Sequence, residues 1–248
     1  MAQLVHLKIR RQQKPDTQSY FEEFTVQYKP NMNVVALLME IRKNPINLKG
    51  EKTSPVTWEC NCLEEVCGAC SMIINGKPMQ ACSALVDTLK QPIILEPLSK
   101  FPVIRDLMVD RLSILEGFKK VKAWTEIDGS FDLGPGPRFE EDKRMEAYKL
   151  SLCMSCGCCL EACPNVNHKS PFIGPAALNQ VRLFNDLPLG KYNRGKRLEA
   201  LMERGGLADC GNSQNCVQVC PKEIPLTTSI AKLNRESILH SLDKWFKK

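Results

Sequence analysis

Two cysteine-rich runs in the second half of the chain constrain its fold more than any other feature. LCMSCGCCLEACPNV covers residues 152–166, and DCGNSQNCVQVCP at residues 209–221 partly repeats it. The chain has thirteen cysteines, an odd number, and they are grouped rather than spread along its 248 residues. Disulfide frameworks are typical of smaller secreted proteins with an even count, so this grouping favours metal ligation.

The first run follows the spacing C-x2-C-x2-C-x3-C-P, which occurs twice in bacterial ferredoxins with two iron–sulfur clusters. In such proteins the first three cysteines of each run bind one cluster, and the fourth binds the other. Crossing the fourth ligands predicts a [4Fe–4S] cluster held by Cys153, Cys156, Cys159 and Cys220. Cys158 falls between the slots and is predicted to bind no iron.

The second run lacks one cysteine, because Ser213 stands in its second slot. Three thiolates remain for this cluster, and they are Cys163, Cys210 and Cys216. A cubane that lacks one cysteine can lose the iron at that corner, so the sequence predicts a [3Fe–4S] cluster. A serine oxygen is able to ligate iron, and ligation by Ser213 stays open as an alternative.

A third group of cysteines lies in CNCLEEVCGACSMIINGKPMQAC, residues 60–82. Its spacing C-x4-C-x2-C-x11-C is that of plant-type [2Fe–2S] proteins. The predicted ligands are Cys62, Cys67, Cys70 and Cys82. Zinc is the alternative, although this part of the chain offers no second CxxC pair to complete a zinc site. Cys60 has no slot in the spacing and is predicted to be an ordinary cysteine.

Hydrophobic periodicity predicts an α+β protein with two domains. The first hundred residues show alternating strand patterns, one short helix over residues 34–44 and a hairpin at Asn75-Gly76. Apolar residues at helical spacing begin at Ile104, and four later segments are also helical in pattern. The predicted domains are therefore residues 1–106, with the [2Fe–2S] cluster, and residues 107–248, with the other two clusters. A turn-rich stretch at residues 128–142 is predicted to be a surface connection.

This order of clusters resembles one family, the iron–sulfur subunits of succinate dehydrogenase and fumarate reductase in respiratory complex II. The resemblance covers nearly the whole chain and includes CLEEVCGACSMIINGKP, PFIGPAAL and NCVQVCPKEIP. It implies a β-grasp plant-type ferredoxin domain followed by an all-α, helical ferredoxin domain. It also implies an electron-transfer subunit with no catalytic residue or substrate site of its own.

The partners follow from the same resemblance. Electrons from succinate would leave FAD on a flavoprotein subunit and pass through the [2Fe–2S], [4Fe–4S] and [3Fe–4S] clusters to quinone at a membrane anchor. The alternatives are a fumarate reductase running in reverse, an electron-transfer subunit of another flavoenzyme, and a free-standing ferredoxin-like carrier. A Walker loop and a dinucleotide-binding GxGxxG motif are both absent from the sequence.

Two departures from the family pattern concern the quinone end. In many members that reduce ubiquinone, a tryptophan pair follows the CP, and a histidine follows the first cysteine of the second run. Here NVNHKS follows the CP, and Gly211 follows Cys210. The chain therefore looks more like the bacterial menaquinone-linked branch, whose anchor is a cytochrome b with two b haems. The predicted surface toward the anchor and quinone comprises Pro164, Asn165, Asn167, His168 and Gly211.

Composition and hydropathy bear on location. The net charge of +6 is mild, and no sequence motif indicates nucleic acid as a partner. No stretch approaches the roughly 18 consecutive apolar residues of a membrane span, and the N-terminus lacks a signal-peptide core. These features predict a cytoplasmic chain. The family resemblance implies a place at the cytoplasmic face of the inner or plasma membrane, with the chain held peripherally through the anchor subunit.

Overall fold

The computed structural model describes residues 3–126, 138 and 140–247. The chain divides into two compact units, the first made of Met1–Arg111 with Met154–Ala162 and the second of Leu112–Cys153 with Cys163–Lys248. The domain ranges predicted from the sequence, 1–106 and 107–248, stay a prediction. Each compact unit of the structure, by contrast, joins two separate segments of the chain. Most of the predicted surface connection at 128–142 lies outside the described residues.

The first unit is built on a five-stranded mixed sheet. Its strands are β1 (Leu4–Arg11), β2 (Tyr20–Gln27), β3 (Ser71–Ile74), β4 (Lys77–Gln80) and β5 (Ile93–Glu96). They lie in the order β2-β1-β5-β3-β4, with β1 parallel to β5 and the other neighbours antiparallel. Alternation along β1 directs Val5, Leu7 and Ile9 into the core, as the sequence predicts for a half-buried strand.

Helix α1 (Val34–Lys43) packs its apolar side into the same core as the sheet. Asn33 caps the helix, since its Oδ1 accepts from the Ala36 N–H at 2.9 Å. The Nδ2 of the same side chain donates to the carbonyl of Cys82 at 2.8 Å. The cap therefore also fixes the backbone at one of the predicted cluster ligands.

The helix predicted from Ile104 is wrong in its first part. Residues Val103–Arg105 and Met108–Val109 form a short hairpin, β6 and β7, and α2 begins only at Leu112 and ends at Lys120. Asp106 has a left-handed φ of 47°, which a continuing α-helix does not allow. Its buried carboxylate accepts from the Arg11 guanidinium at 3.0 Å, and this bond favours the turn.

The second unit is helical. Besides α2 it contains α3 (Glu141–Ser151), α5 (Pro175–Asp186), α6 (Arg194–Met202), α7 (Asn215–Gln218) and α8 (Leu226–Phe246). The short helix α4 (Cys158–Ala162) belongs to the first unit. Apolar residues of α5, α6 and α8, among them Leu178, Leu201 and Leu233, share one core. No helix in the described part of the chain is both long and apolar enough to cross a membrane.

Candidate iron–sulfur sites

The loop from Cys62 to Cys70 curls around its own sulfur atoms. Left-handed backbone at Leu63 (φ 60°), Glu65 (φ 56°) and Gly68 (φ 71°) turns the loop tightly enough to point N–H groups inward. Cys62 Sγ accepts from the N–H groups of Glu64 and Val66, each at 3.4 Å. Amide N–H groups directed at sulfur stabilise a thiolate, so the loop fits an anionic cluster.

The four predicted [2Fe–2S] ligands lie as two neighbouring pairs. Backbone N–H groups, first that of Glu64, lower the pKa of the Cys62 thiol to about 7, and Cys67 contributes a hydrogen bond. Burial, together with a smaller contribution from the adjacent Cys82 thiol, raises the pKa of the Cys70 thiol to about 12. Two thiol pairs, in the loop and in the turn that follows β4, suit a cluster of two irons that needs four thiolates.

The predicted [4Fe–4S] ligands are divided between the units. Cys156 and Cys159 lie in the first unit, in the segment Met154–Ala162, and Cys153 and Cys220 lie in the second. Left-handed backbone on both sides of Cys156, at Ser155 (φ 52°) and Gly157 (φ 90°), curves this segment. In the second unit, Cys220 Sγ accepts from the N–H of Ile224 at 3.5 Å.

Three of the remaining cysteines meet in one pocket of the second unit. Cys163, Cys210 and Cys216 line this pocket together with Ser213, which the sequence predicts at the vacant corner. Burial raises the pKa of the Cys216 thiol, and the charges of Cys163 and Cys210 raise it further. The structure thus brings these three thiols and the serine together from two cysteine runs that are far apart in sequence.

Asn165 ties together the two loops that carry two of these thiols. Its Nδ2 donates to the carbonyl of Asp209 at 3.0 Å, next to Cys210. A Cβ at Gly211 would lie only 2.7 Å from Asn165 Oδ1, so the glycine leaves room for the asparagine side chain. The other predicted anchor-side residues, Pro164, Asn167 and His168, are exposed.

The two cysteines without a slot differ in their surroundings. Cys60 is exposed, whereas Cys158 at the start of α4 is fully buried, with the Gln80 Nε2 at 3.5 Å from its sulfur. Cys158 also lies beside Cys156, and its hydrogen bond is the main reason why the pKa of Cys156 falls to about 7. Cys158 is therefore excluded from the predicted ligands by the cysteine spacing alone, because its position in the fold resembles that of a ligand.

Within the described ranges, no three His, Cys, Asp or Glu side chains are grouped tightly enough to hold a single metal ion. A cluster spans several irons, and its thiolates bind different ones. The fit of the cysteines to clusters therefore depends on loop shape and N–H···S bonds.

Comparison with known proteins identifies the family. Residues 6–116 match the model of the 2Fe-2S iron-sulfur cluster binding domain, and residues 149–224 match the 4Fe-4S dicluster domain. The succinate dehydrogenase iron-sulfur subunit of Bacillus subtilis is 64% identical over 238 residues, which cover 96% of this chain and 94% of that protein. The chain belongs to the iron–sulfur subunits of succinate dehydrogenase and fumarate reductase.

Two further relatives extend the comparison. The fumarate reductase iron-sulfur subunit of Wolinella succinogenes is 30% identical, with 88% of this chain and 90% of that protein covered. A chain of the Mycobacterium smegmatis Sdh1 complex in the apo form shares the fold, with a TM-score of 0.79, 24% identity and 96% of each chain covered. The α+β fold class, with a ferredoxin domain on a mixed sheet and then a helical one, is confirmed.

The family also defines the biochemical role. The protein is an electron-transfer subunit of this oxidoreductase family, and its domains are of the [2Fe–2S] and [4Fe–4S] types. Both predicted cofactors of these types are thereby confirmed.

Cysteine substitutions test the ligand assignment. We expect Cys60→Ser and Cys158→Ser to leave every cluster in place, because neither residue has a slot in the spacing. Cys67→Ser makes the same substitution at a predicted ligand, in the loop from Cys62 to Cys70, and should disturb only the [2Fe–2S] signal. Low-temperature EPR of the purified complex measures each cluster separately. Loss of the [4Fe–4S] signal from Cys158→Ser would show that the register of the first run is shifted.

Several polar residues around the loop from Cys62 to Cys70 were not predicted from the sequence. Arg111 donates to the carbonyls of Gly68 and Ala69, and Ser71 Oγ donates to the Gly68 carbonyl as well. Gln80, which is 1% exposed, donates to Ser71 Oγ at 2.8 Å. Ser71 and Gln80 are unspecified positions between Cys70 and Cys82 in the spacing, and Arg111 lies 41 positions after Cys70.

Proposed function

We propose that the chain relays electrons from an FAD-containing flavoprotein subunit to a membrane-anchor cytochrome b that reduces menaquinone. The path uses a [2Fe–2S], a [4Fe–4S] and a [3Fe–4S] cluster, held by the three cysteine sets predicted above. Each cluster would accept and release one electron at a time, while the chain's own residues set the site shape and charge. Succinate oxidation is the proposed direction, supported by the 64% identity to a succinate dehydrogenase subunit against 30% to a fumarate reductase subunit.

The observation that carries this proposal is the pocket with three thiols. Cys163, Cys210 and Cys216 line this pocket. Ser213 also lines it and occupies the second cysteine slot of the second run, so a hydroxyl stands where a fourth thiol would be. Cys163 and Cys216 are buried, whereas Ser213 is exposed at the pocket wall. A corner with no thiolate and open to water would hold a fourth iron poorly, which supports a [3Fe–4S] cluster here.

The exposed residues beside this pocket support its role as the electron exit. Pro164, Asn167, His168 and Gly211 are all exposed and lie within a few positions of Cys163 or Cys210. This surface lies next to the last cluster of the path. It lacks the tryptophan pair and the histidine found in many ubiquinone-reducing members, so it suits contact with an anchor that itself carries the haem and quinone. On this basis the chain is held at the cytoplasmic face of the membrane through the anchor subunit.

Iron content and EPR test the cluster assignment. We expect about nine irons per chain from the three cluster types together. The oxidised complex should show a [3Fe–4S] signal at low temperature, and the reduced complex should show the other two clusters. Purification from the native source should also recover a flavoprotein and a haem-containing subunit. Zinc in place of iron, or an oxidised complex without the three-iron signal, would refute the assignment.

Variants of the exposed loop test the quinone end. We expect Asn167→Ala and His168→Ala to leave the Michaelis constant for quinone nearly fixed, even if haem reduction slows, because the anchor rather than this loop would hold the quinone head. Succinate-dependent haem reduction and quinone reduction are measured in the same preparation. A large rise in that constant, with normal haem reduction and intact clusters, would instead locate the quinone site on this subunit.

A further inference from the structure

The peptide unit between Gly68 and Ala69, in the first cysteine loop, is hydrogen-bonded at both ends. Its N–H, on Ala69, donates to Cys67 Sγ at 3.4 Å. Its oxygen, on Gly68, accepts from Arg111 Nη1 at 2.6 Å and from Ser71 Oγ at 2.7 Å. Because the N–H and C=O of a trans peptide point in opposite directions, two donors on the oxygen fix the direction of the N–H.

Arg111 holds more than this one oxygen. Its Nη2 donates to the carbonyl of Ala69 at 3.1 Å and also pairs with the carboxylate of Glu59. The guanidinium therefore binds the carbonyls of both residues that separate Cys67 from Cys70. The planar fork of an arginine makes such a double contact in one fixed geometry, which a lysine cannot reproduce.

The same peptide lies against the segment that carries Cys156. A Cβ on Gly68 would lie 2.8 Å from the Cβ of Cys156 and 2.9 Å from its Cα, a distance at which the backbone would have to move. The left-handed φ of 71° also favours glycine at this position. The oriented peptide is thus in contact with Cys67, a predicted [2Fe–2S] ligand, and close to Cys156, a predicted [4Fe–4S] ligand.

We propose that Arg111 and Ser71 are positioning residues that raise the reduction potential of the [2Fe–2S] cluster by directing the Ala69 N–H at the Cys67 sulfur. This inference rests on the proposed function, since it assumes that Cys67 is a ligand. Hydrogen bonds to the sulfurs are among the controls of cluster potential, and they stabilise the more negative, reduced form. Two donors on the Gly68 oxygen polarise the peptide and strengthen its N–H as a donor.

The test compares three variants of the whole purified complex. Ser71→Ala removes one donor without changing charge, and Arg111→Lys keeps the charge but loses the fork. Arg10→Gln is the control for loss of an arginine contact elsewhere in the same unit, because Arg10 lies on β1 and pairs with Glu96 at 2.7 Å. Redox titration by EPR gives the midpoint potential, and pulsed EPR after exchange into D2O gives the hyperfine coupling of exchangeable protons near the reduced cluster.

We expect the [2Fe–2S] potential to fall and the proton coupling to weaken in Ser71→Ala and Arg111→Lys, with both unchanged in Arg10→Gln. The potentials of the other two clusters should stay at their wild-type values. Unchanged potential and coupling in both variants would overturn the inference and leave the proposed function intact. Loss of the cluster from both variants would also overturn it, since the two residues would then act in assembly. A wild-type complex without a [2Fe–2S] signal would refute the proposed function itself.

Discussion

Ser213→Cys is expected to convert the proposed [3Fe–4S] centre into a [4Fe–4S] cluster. The substitution restores the missing second cysteine of the second run, at a position that already lines the pocket with Cys163, Cys210 and Cys216. Serine and cysteine differ by one atom, and residue 213 is exposed, so the change requires little repacking. Most of the oxidised [3Fe–4S] EPR signal should disappear, and iron content should rise by about one atom per chain.

The same substitution should slow quinone reduction. Cluster type is one determinant of potential, and we expect the four-iron form to have the lower potential. For a one-electron step, each ~59 mV that the centre loses changes the equilibrium constant by a factor of about ten. Delivery of electrons into this centre should then become less favourable, by about tenfold or more. Steady-state succinate:quinone activity and a redox titration of the same sample measure the two effects together.

Ser213→Ala is the matched control, because it removes the hydroxyl without adding a thiol. If the corner is vacant, the alanine variant should keep the wild-type EPR spectrum. A changed spectrum in Ser213→Ala would mean that the serine oxygen ligates a fourth iron, which is the alternative the sequence left open. An unchanged spectrum in a folded, fully loaded Ser213→Cys variant would show that residue 213 is not at the vacant corner.

Much of the fold was predictable because the periodic patterns are strong. The helix at Pro175–Asp186 is one of the segments predicted to be helical, because its apolar residues recur at helical spacing, and a proline at its first position suits a helix start. The Asn75-Gly76 turn was also predictable, because both residues adopt left-handed backbone, which this pair accommodates well. Local sequence is enough for such elements.

The error at residues 103–109 has a different cause. Apolar residues there recur at a spacing that fits a helix, but the backbone is fixed by bonds to distant parts of the chain. Asp106 accepts from the Arg11 side chain and from the N–H of Thr57 at 2.9 Å, and these partners lie far away in sequence. Periodicity carries no information on such partners, so tertiary contacts overrode the local pattern.

The meeting of three cysteines in one pocket was predictable, and the polar contacts around them were not. The cysteine spacing alone predicted that three thiols from two distant runs share one cluster. In the structure, Cys163, Cys210 and Cys216 line one pocket. The contact between Asn165 and the Asp209 carbonyl, by contrast, depends on how the two loops meet. Nothing in the sequence distinguishes this asparagine from Asn167, whose side chain donates to the Pro164 carbonyl and accepts from the Lys169 N–H within its own loop.

The least predictable residue with a large expected effect is Arg197. In KRLEALMER it looks like a solvated position of a helix, yet its side chain is fully buried. The guanidinium donates to two side-chain oxygens, of Asn185 and Asn193, and to three backbone carbonyls. Those carbonyls belong to Trp124, Phe184 and Gly190. Burial lowers the pKa of the guanidinium to about 10, which leaves it protonated at neutral pH.

Arg197→Met is expected to destabilise the second unit by about 3–5 kcal/mol, because it leaves several buried acceptors without a donor. Methionine fills a similar volume, so the loss should come from the acceptors rather than from a cavity. Arg194→Met on the same helix is the matched control. Arg194 is 42% exposed in its side chain and pairs with Glu236, and its loss should cost about 1 kcal/mol or less.

Hydrogen exchange of the purified complex measures the effect without requiring reversible unfolding. Amides of α5 and α6 should exchange on the order of a hundredfold faster or more in Arg197→Met, since each 1.36 kcal/mol is a factor of ten. Amides of β1 and β5 in the first unit should keep their protection in both variants. Equal exchange in the two arginine variants would show that the buried guanidinium does not stabilise the unit. Because α5 and α6 share a core with Cys163, we also expect Arg197→Met to lose the three-iron signal on warming before the [2Fe–2S] signal.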